Sequence, residues 1–174
     1  MSGLAIASSG FARASTPAQN FRVGNRFSLA ASARLIGVRV AHKLASEGTP
    51  ETLSLDAHDS NGTLLESVSS VFSASGAQAV YFVSSYTIAA NTLFTLSAYG
   101  VTNNYSKWTM AGLTVKAPDF VTAYATACGV YLGGGVTFLD GYYKSSDAYP
   151  DTRNAIANTS SQMFGIDPIL DIDG

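Results

Sequence analysis

From residue 21 onward, apolar side chains recur at every second position. Phe21, Val23, Phe27 and Leu29 share one parity, broken only at Asn25, which is the pattern of a strand with one buried face. The run "LIGVRVAH" puts Ile36, Val38 and Val40 inside and turns Arg39 outward, and "TLSLDAHD" does the same with Leu53, Leu55 and Ala57. The Asn-Gly pair of "SNGT" then predicts a tight hairpin turn into "LLESV". "QAVYFV", "NTLFTLSAY" and "YSKWTMA" follow, with turn-forming residues at 75–76, 90–91 and 102–104 between them. Short strands at such spacing predict an all-β fold, a single jelly-roll-like antiparallel β-sandwich. One short helix is expected, over "DFVTAYATA" at 119–127, with Asp119 as its N-cap after Pro118.

The flanks read differently. Residues 1–20 contain Gly3, Gly10 and Pro17 without a sustained period, and read as an N-terminal arm on a sandwich domain spanning 21–174. Residues 129–159, with "LGGGV" and "DGYYKSSDAYPDTRN", read as a long loop region with one short strand around "GVYL". Long loops in compact domains are commonly functional or covered by a partner. Near the end, "MFGIDPIL" sets Met163, Phe164, Ile166, Ile169 and Leu170 close together, more apolar surface than a frayed tail would carry.

A length of 174 residues suits one domain, and a charged fraction of 13% is far from the composition of a disordered chain. The net charge of −2 hides an asymmetry. Residues 1–46 carry six bases (Arg13, Arg22, Arg26, Arg34, Arg39, Lys43) and no acid, whereas the rest carries four bases and all twelve acids, a balance of −8. The six bases are dispersed among apolar residues, so the expectation is a solvated strand face and no nucleic-acid contact. The asymmetry would also suit head-to-tail contacts between copies. Cys128 stands alone among small and apolar neighbours, a buried thiol with no disulfide framework. No stretch approaches the eighteen apolar residues of a membrane span, and "MSGLAIASSG" lacks the basic region of a signal peptide. A composition typical of extracellular β-proteins without an export signal fits proteins made in a bacterial cytoplasm and released within a phage particle, so a virion location is expected.

Candidate chemistry is sparse, and an enzyme is not expected. His42 has inward parity and His58 outward parity on their strands, and neither stands in a nucleophile motif. Asp140 and Asp147 are the nearest approach to a carboxylate pair and read as solvating the loop. "DAHDSNG" fails as a calcium loop, with Ala57 and Val68 where ligands would stand, and "LGGGV" lacks the Lys-Ser/Thr of a phosphate cradle. No catalytic residue, metal or cofactor is therefore expected. Aromatic residues are the better lead, because Tyr and Trp faces stack on sugars. Trp108 shares parity with Met110 and reads as core, while Tyr105 and Lys107 point the other way. Together with Tyr142, Tyr143 and Tyr149 of the loop region, these last two are the candidate contacts for a glycan or a neighbouring subunit.

The order of these features resembles a β-sandwich family, a domain of unknown function found in bacterial surface proteins and in phage tail or virion proteins. The elements that carry the likeness are "G-x-x-F" at Gly24 to Phe27, "I-x-G-I/V-R" at Ile36 to Arg39, and "D-x-x-G-x-L-L" at Asp59 to Leu65. Further matches are the turn from Tyr86 to Thr92, "G-V-Y" at Gly129 to Tyr131, and a late strand matched by Tyr149-Pro150 with Phe164 to Asp167. The chain departs from the pattern at His42, where the family often has an aromatic, and at Ala57, where it often has Trp. The resemblance implies a virion structural protein, a decoration, fibre or tail-attached module whose partners are other virion proteins and copies of itself. The alternative is a carbohydrate-binding module that recognises a host surface glycan. It also implies that "MFGIDPIL" is the closing strand of the sandwich, with Pro168 on an edge or at a bulge.

Overall fold

The computed structural model describes residues 11–13, 22–42, 44, 48–74, 76–100, 108–110, 115–116, 136–144, 146–153, 160–161 and 166–171. No helix occurs among them. The strands are β1 (Phe11–Arg13), β2 (Arg22–Leu29), β3 (Ala33–His42), β4 (Glu51–His58), β5 (Leu64–Phe72), β6 (Gly76–Ile88) and β7 (Leu93–Gly100). They continue with β8 (Trp108–Met110), β9 (Val115–Lys116), β10 (Val136–Lys144), β11 (Thr152–Arg153), β12 (Ser160–Ser161) and β13 (Ile166–Asp171). Six of them form an antiparallel sheet in the order β11-β10-β2-β7-β4-β5, and three form a second in the order β13-β3-β6. The two sheets pack as a β-sandwich.

The alternation seen in the sequence builds the core. Val23, Phe27 and Leu29 of β2, Leu53, Leu55 and Ala57 of β4, and Phe94, Leu96 and Ala98 of β7 face Leu35, Val38 and Val40 of β3, Val80 and Phe82 of β6, and Ile166 and Leu170 of β13. Phe27 and Phe94 stack with ring centroids 5.6 Å apart. Asn25, the break in the β2 pattern, is also inside. Its Nδ2 donates to the carbonyl of Ile166 at 2.8 Å and so ties one sheet to the other, as a buried amide requires.

The five-residue connection 59–63 joins β4 to β5, a longer turn than the Asn-Gly pair alone predicts. Asp59 organises it: Oδ1 accepts from the backbone N–H of Asn61 at 2.8 Å and of Thr63 at 2.9 Å, and Gly62 takes φ 81°. The backbone donor of Thr63 foremost, with that of Asn61, holds the Asp59 carboxyl below the ordinary carboxylate range.

Bulges account for the departures from a simple alternation. In β3 the core residue is Leu35 and Ile36 is only half-buried. The ladder to β13 sets Gly37 opposite Ile169 and Leu35 opposite Leu170, so Ile36 is one inserted residue, which moves the following side chains of β3 to the other face; on the β6 side the register shifts at the same place, with residues 82–85 opposite Ile36. The largest correction concerns 136–144. Expected within a long loop, it is the strand β10, paired to β2 along its length and to β11 at Tyr142 and Tyr143. A shift between Phe138 and Asp140 breaks its period, and the buried Gly141 removes a patterned side chain.

Of the segment expected to be a strand, "MFGIDPIL", the residues described, from Ile166 on, form one. β13 is the edge of the three-stranded sheet, and Pro168 stands opposite Val38 next to a bulge between Ile169 and Leu170. Within the expected arm, Phe11–Arg13 pair with Trp108–Met110. The expected helix at 119–127, "GVYL" and Cys128 lie outside the described residues, as do the side chains of His42 and Trp108.

Candidate functional site

The outer face of the six-stranded sheet is polar, and the 146–151 connection between β10 and β11 folds across it. Register fixes which side chains meet there. Arg22, Gly24 and Arg26 of β2 stand opposite Tyr99, Ser97 and Thr95 of β7, which in turn stand opposite Ser54, Asp56 and His58 of β4. Because side chains alternate across a strand, this set points away from the core that Val23, Leu96 and Leu55 enter.

Two arginines on this face have opposite circumstances. Arg22 is only 2% exposed and uses every N–H it has. Nη1 pairs with Asp56 Oδ2 at 2.8 Å and donates to Ser97 Oγ at 3.2 Å, Nη2 donates to Ser54 Oγ at 3.3 Å and binds Asp147, and Nε donates to Asp147 Oδ1 at 3.1 Å. Asp56 is completed by the Ser67 hydroxyl, which donates to Oδ1 at 2.7 Å. The expectation of a solvated basic strand face therefore fails at Arg22, whose charge is desolvated and matched by carboxylates. Asp147, expected to solvate a loop, is the clasp that brings that loop down onto the sheet.

Arg26 is half-buried and framed by tyrosines. Its guanidinium lies 4.1 Å from the ring centroid of Tyr142, Nη1 donates to the Tyr142 hydroxyl at 3.1 Å, and Nη2 donates to the Tyr149 hydroxyl at 2.9 Å. Tyr149 is held from three further sides. Its hydroxyl lies 3.3 Å from Thr95 Oγ1, its ring meets the His58 ring edge-on at 4.9 Å, and it covers Gly62, where a Cβ would stand 3.1 Å away. The next residue, Pro150, packs over Gly24, where an added Cβ would come within 3.1 Å of Pro150 Cγ and 2.8 Å of the Leu96 carbonyl oxygen. Lys144 and Asp151, at the two ends of the connection, pair at 2.6 Å.

Of the five residues expected to make contacts, the structure brings Tyr142 and Tyr149 together through Arg26. Tyr143 sits at the next position of β10, its backbone opposite Val23 and Thr152, and its side chain lies outside the described residues. Tyr105 and Lys107 lie outside them altogether. The arginines themselves were missed, although "FRVGNRF" carries the signal: Arg22 and Arg26 have the parity opposite to Val23 and Phe27. What the sequence could not show is that Asp56 and Thr95 stand beside them two strands and one strand away.

His58 has the outward parity expected of it, yet it is 5% exposed because Tyr149 covers it, and its Nδ1 has no hydrogen-bond partner among the described residues. Burial, foremost, and the Arg22 charge lower its pKa from 6.5, against Asp56 and Asp59, which raise it. The unfolded chain then takes up a proton that the folded chain refuses as pH falls through about 6.5. Stability should be highest above that pH and decline below it until the folded pKa is reached. Urea unfolding at pH 7.5 and 5.5 should show wild type losing more stability than His58→Gln, and equal losses would contradict the assignment.

Among the described residues no group of three or more His, Cys, Asp or Glu side chains is placed to hold a metal ion. No protein-family profile matches the chain, and no curated protein matches it in sequence.

Proposed function

We propose that the chain is a bacteriophage virion structural protein, a decoration, fibre or tail-attached module that works through contacts with copies of itself and with other virion proteins. The observation that carries this reading is β6. Among the described residues it is an edge strand, thirteen residues long, whose outer face exposes Tyr81 at 56% and Val83 at 92%, and no charged side chain occurs between Glu66 and Lys107. Proteins that work alone guard sheet edges with charge or proline. An unguarded edge with exposed apolar groups suits a protein that is meant to be covered. The resemblance to a domain of phage tail and virion proteins points the same way.

The test is incorporation. The wild-type chain should be found by mass spectrometry in purified particles, and Val83→Lys with Tyr81→Lys should fold normally but be missing from them. Absence of the wild-type chain from particles, or normal incorporation of the double variant, would reject the reading. A second reading, a carbohydrate-binding receptor module, is favoured by one specific observation, the meeting of Tyr142 and Tyr149 at Arg26.

A further inference from the structure

We propose that β6 is the interface with a second copy of this chain, pairing antiparallel with the same strand of that copy about Phe82 and joining the two three-stranded sheets into one. This rests on the reading of β6 as a covered edge and names what covers it. β6 pairs with β3 on one side and, among the described residues, with no strand on the other. The other sheet edges are guarded. β13 carries Asp167, Pro168 and Asp171, β11 is two residues long and includes Arg153, and β5 carries Glu66. β5 is also tied to β6 by side chains: the Tyr86 hydroxyl donates to Glu66 Oε2 at 2.6 Å, and the Gln78 amide donates to Ser70 Oγ at 3.0 Å and to the Val71 carbonyl at 3.3 Å. β6 is longer than any of these edges and contains neither charge nor proline.

The pattern along β6 selects its partner. Val80, Phe82 and Ile88 are buried, and Ala79, Tyr81, Val83, Ser85 and Thr87, at the other parity, are exposed. The strand therefore keeps its period although its ladder to β3 is interrupted at 82–85. An uncharged edge calls for a neutral segment beside it, and β6 is itself such a segment. The midpoint of Gly76–Ile88 is Phe82, so two copies aligned end to end set Tyr81 of each opposite Val83 of the other. These are the two large apolar side chains that the strand exposes, and an aromatic ring opposite a β-branched residue is a favourable cross-strand pair. A shift of one residue would set outward side chains opposite inward ones. A shift of two sets Tyr81 or Val83 opposite its own counterpart and leaves the other opposite Ser85 or Ala79. The two-fold pairing uses up the open edge of both copies, so the assembly closes as a dimer instead of extending into a filament.

The experiment is sedimentation equilibrium of the purified full chain over a hundredfold range of concentration, with no particle present. Wild type should pass from monomer to dimer as concentration rises, and hydrogen exchange at amides within residues 77–87 should slow with it. Val83→Lys, at a position 92% exposed and so outside the core, should fold normally and stay monomeric throughout. Register is read by disulfide capture in a Cys128→Ser background. Tyr81→Cys and Val83→Cys should crosslink when mixed and not when either is alone, because directly opposite side chains lie within disulfide reach and diagonal ones, roughly 7–8 Å apart, do not. A wild-type chain that stays monomeric, a dimer that survives Val83→Lys, or crosslinking of either variant alone in place of the mixture would overturn the proposal. The virion reading fails separately, by absence of the chain from purified particles. A monomeric chain that is incorporated rejects the second copy and keeps that reading, and a β6 dimer missing from particles does the reverse.

Discussion

A chain ending at Gly165 should fail to fold. Residues 166–174 contain β13, and its removal takes Ile166 and Leu170 from the core together with the buried Ile169, at 2%, 6% and 5% exposure. Each such side chain contributes roughly 1.5–3 kcal/mol when buried. Three amount to roughly 5–9 kcal/mol, within the 5–15 kcal/mol that typically separates a folded domain from its unfolded chain. Two further losses add to this. The Asn25 amide loses the Ile166 carbonyl it donates to, inside the core, at a cost of about 1–3 kcal/mol for a stranded buried donor. The backbone of β3 from Arg34 to Val40 loses its ladder and becomes an open edge, a template for aggregation. Circular dichroism and thermal unfolding of the truncated chain should show no cooperative transition. A melting temperature equal to wild type would mean that β13 docks on a finished domain instead of closing it.

How far the sequence could be read depends on where the period of two survives. β2, β4 and β7 keep it, and their inward residues, Val23, Phe27, Leu53, Leu55 and Leu96, are all buried as the alternation requires. β13 was legible for another reason: apolar residues at that density near a chain's end need a surface to cover. Reading failed where a bulge adds a residue to one strand. At Ile36 the inserted residue moved the core position to Leu35, and in β10 a shift beside Gly141 concealed a whole strand within what read as a loop. The candidate site was half legible. Tyr142 and Tyr149 were identified as aromatic residues in a polar segment, but the arginine that unites them comes from a strand more than a hundred residues earlier. A contact across that separation depends on strand order, β10 beside β2 and β2 beside β7, and no local pattern encodes strand order. Outward parity also misleads about exposure, because the 146–151 connection covers part of the face. Arg22 and His58 are outward on their strands and nevertheless buried.

Arg22→Met should be the most damaging single substitution on that outer face. The Arg22 and Asp56 side chains are 3% and 11% exposed, so removing the cation strands a desolvated carboxylate, and breaking a buried pair from one side costs about 3–5 kcal/mol. Ser67 and Ser54 would still donate to Asp56, but neutral donors do not replace the lost charge. Asp147 must be counted differently. Its side chain is 52% exposed, water screens it, and Asp147→Asn should cost no more than about 1 kcal/mol. Removing both members of the buried pair should hurt less than removing one, because Arg22→Met with Asp56→Leu leaves no uncompensated charge behind. Urea unfolding of the two single variants and the double variant therefore has a definite expected order, with the double above Arg22→Met. The clasp also reports on the site. Arg22 holds Asp147, Asp147 holds the connection, and the connection places Tyr149 over Arg26 and His58. In Asp147→Asn, which loosens the clasp and leaves Arg22 and Asp56 beside His58, the His58-dependent loss of stability between pH 7.5 and 5.5 should shrink, because a less covered imidazole titrates nearer its ordinary value. An Arg22→Met protein within 1 kcal/mol of wild type would show that the cluster is solvated and that the connection holds to the sheet through Tyr149 and Pro150 alone.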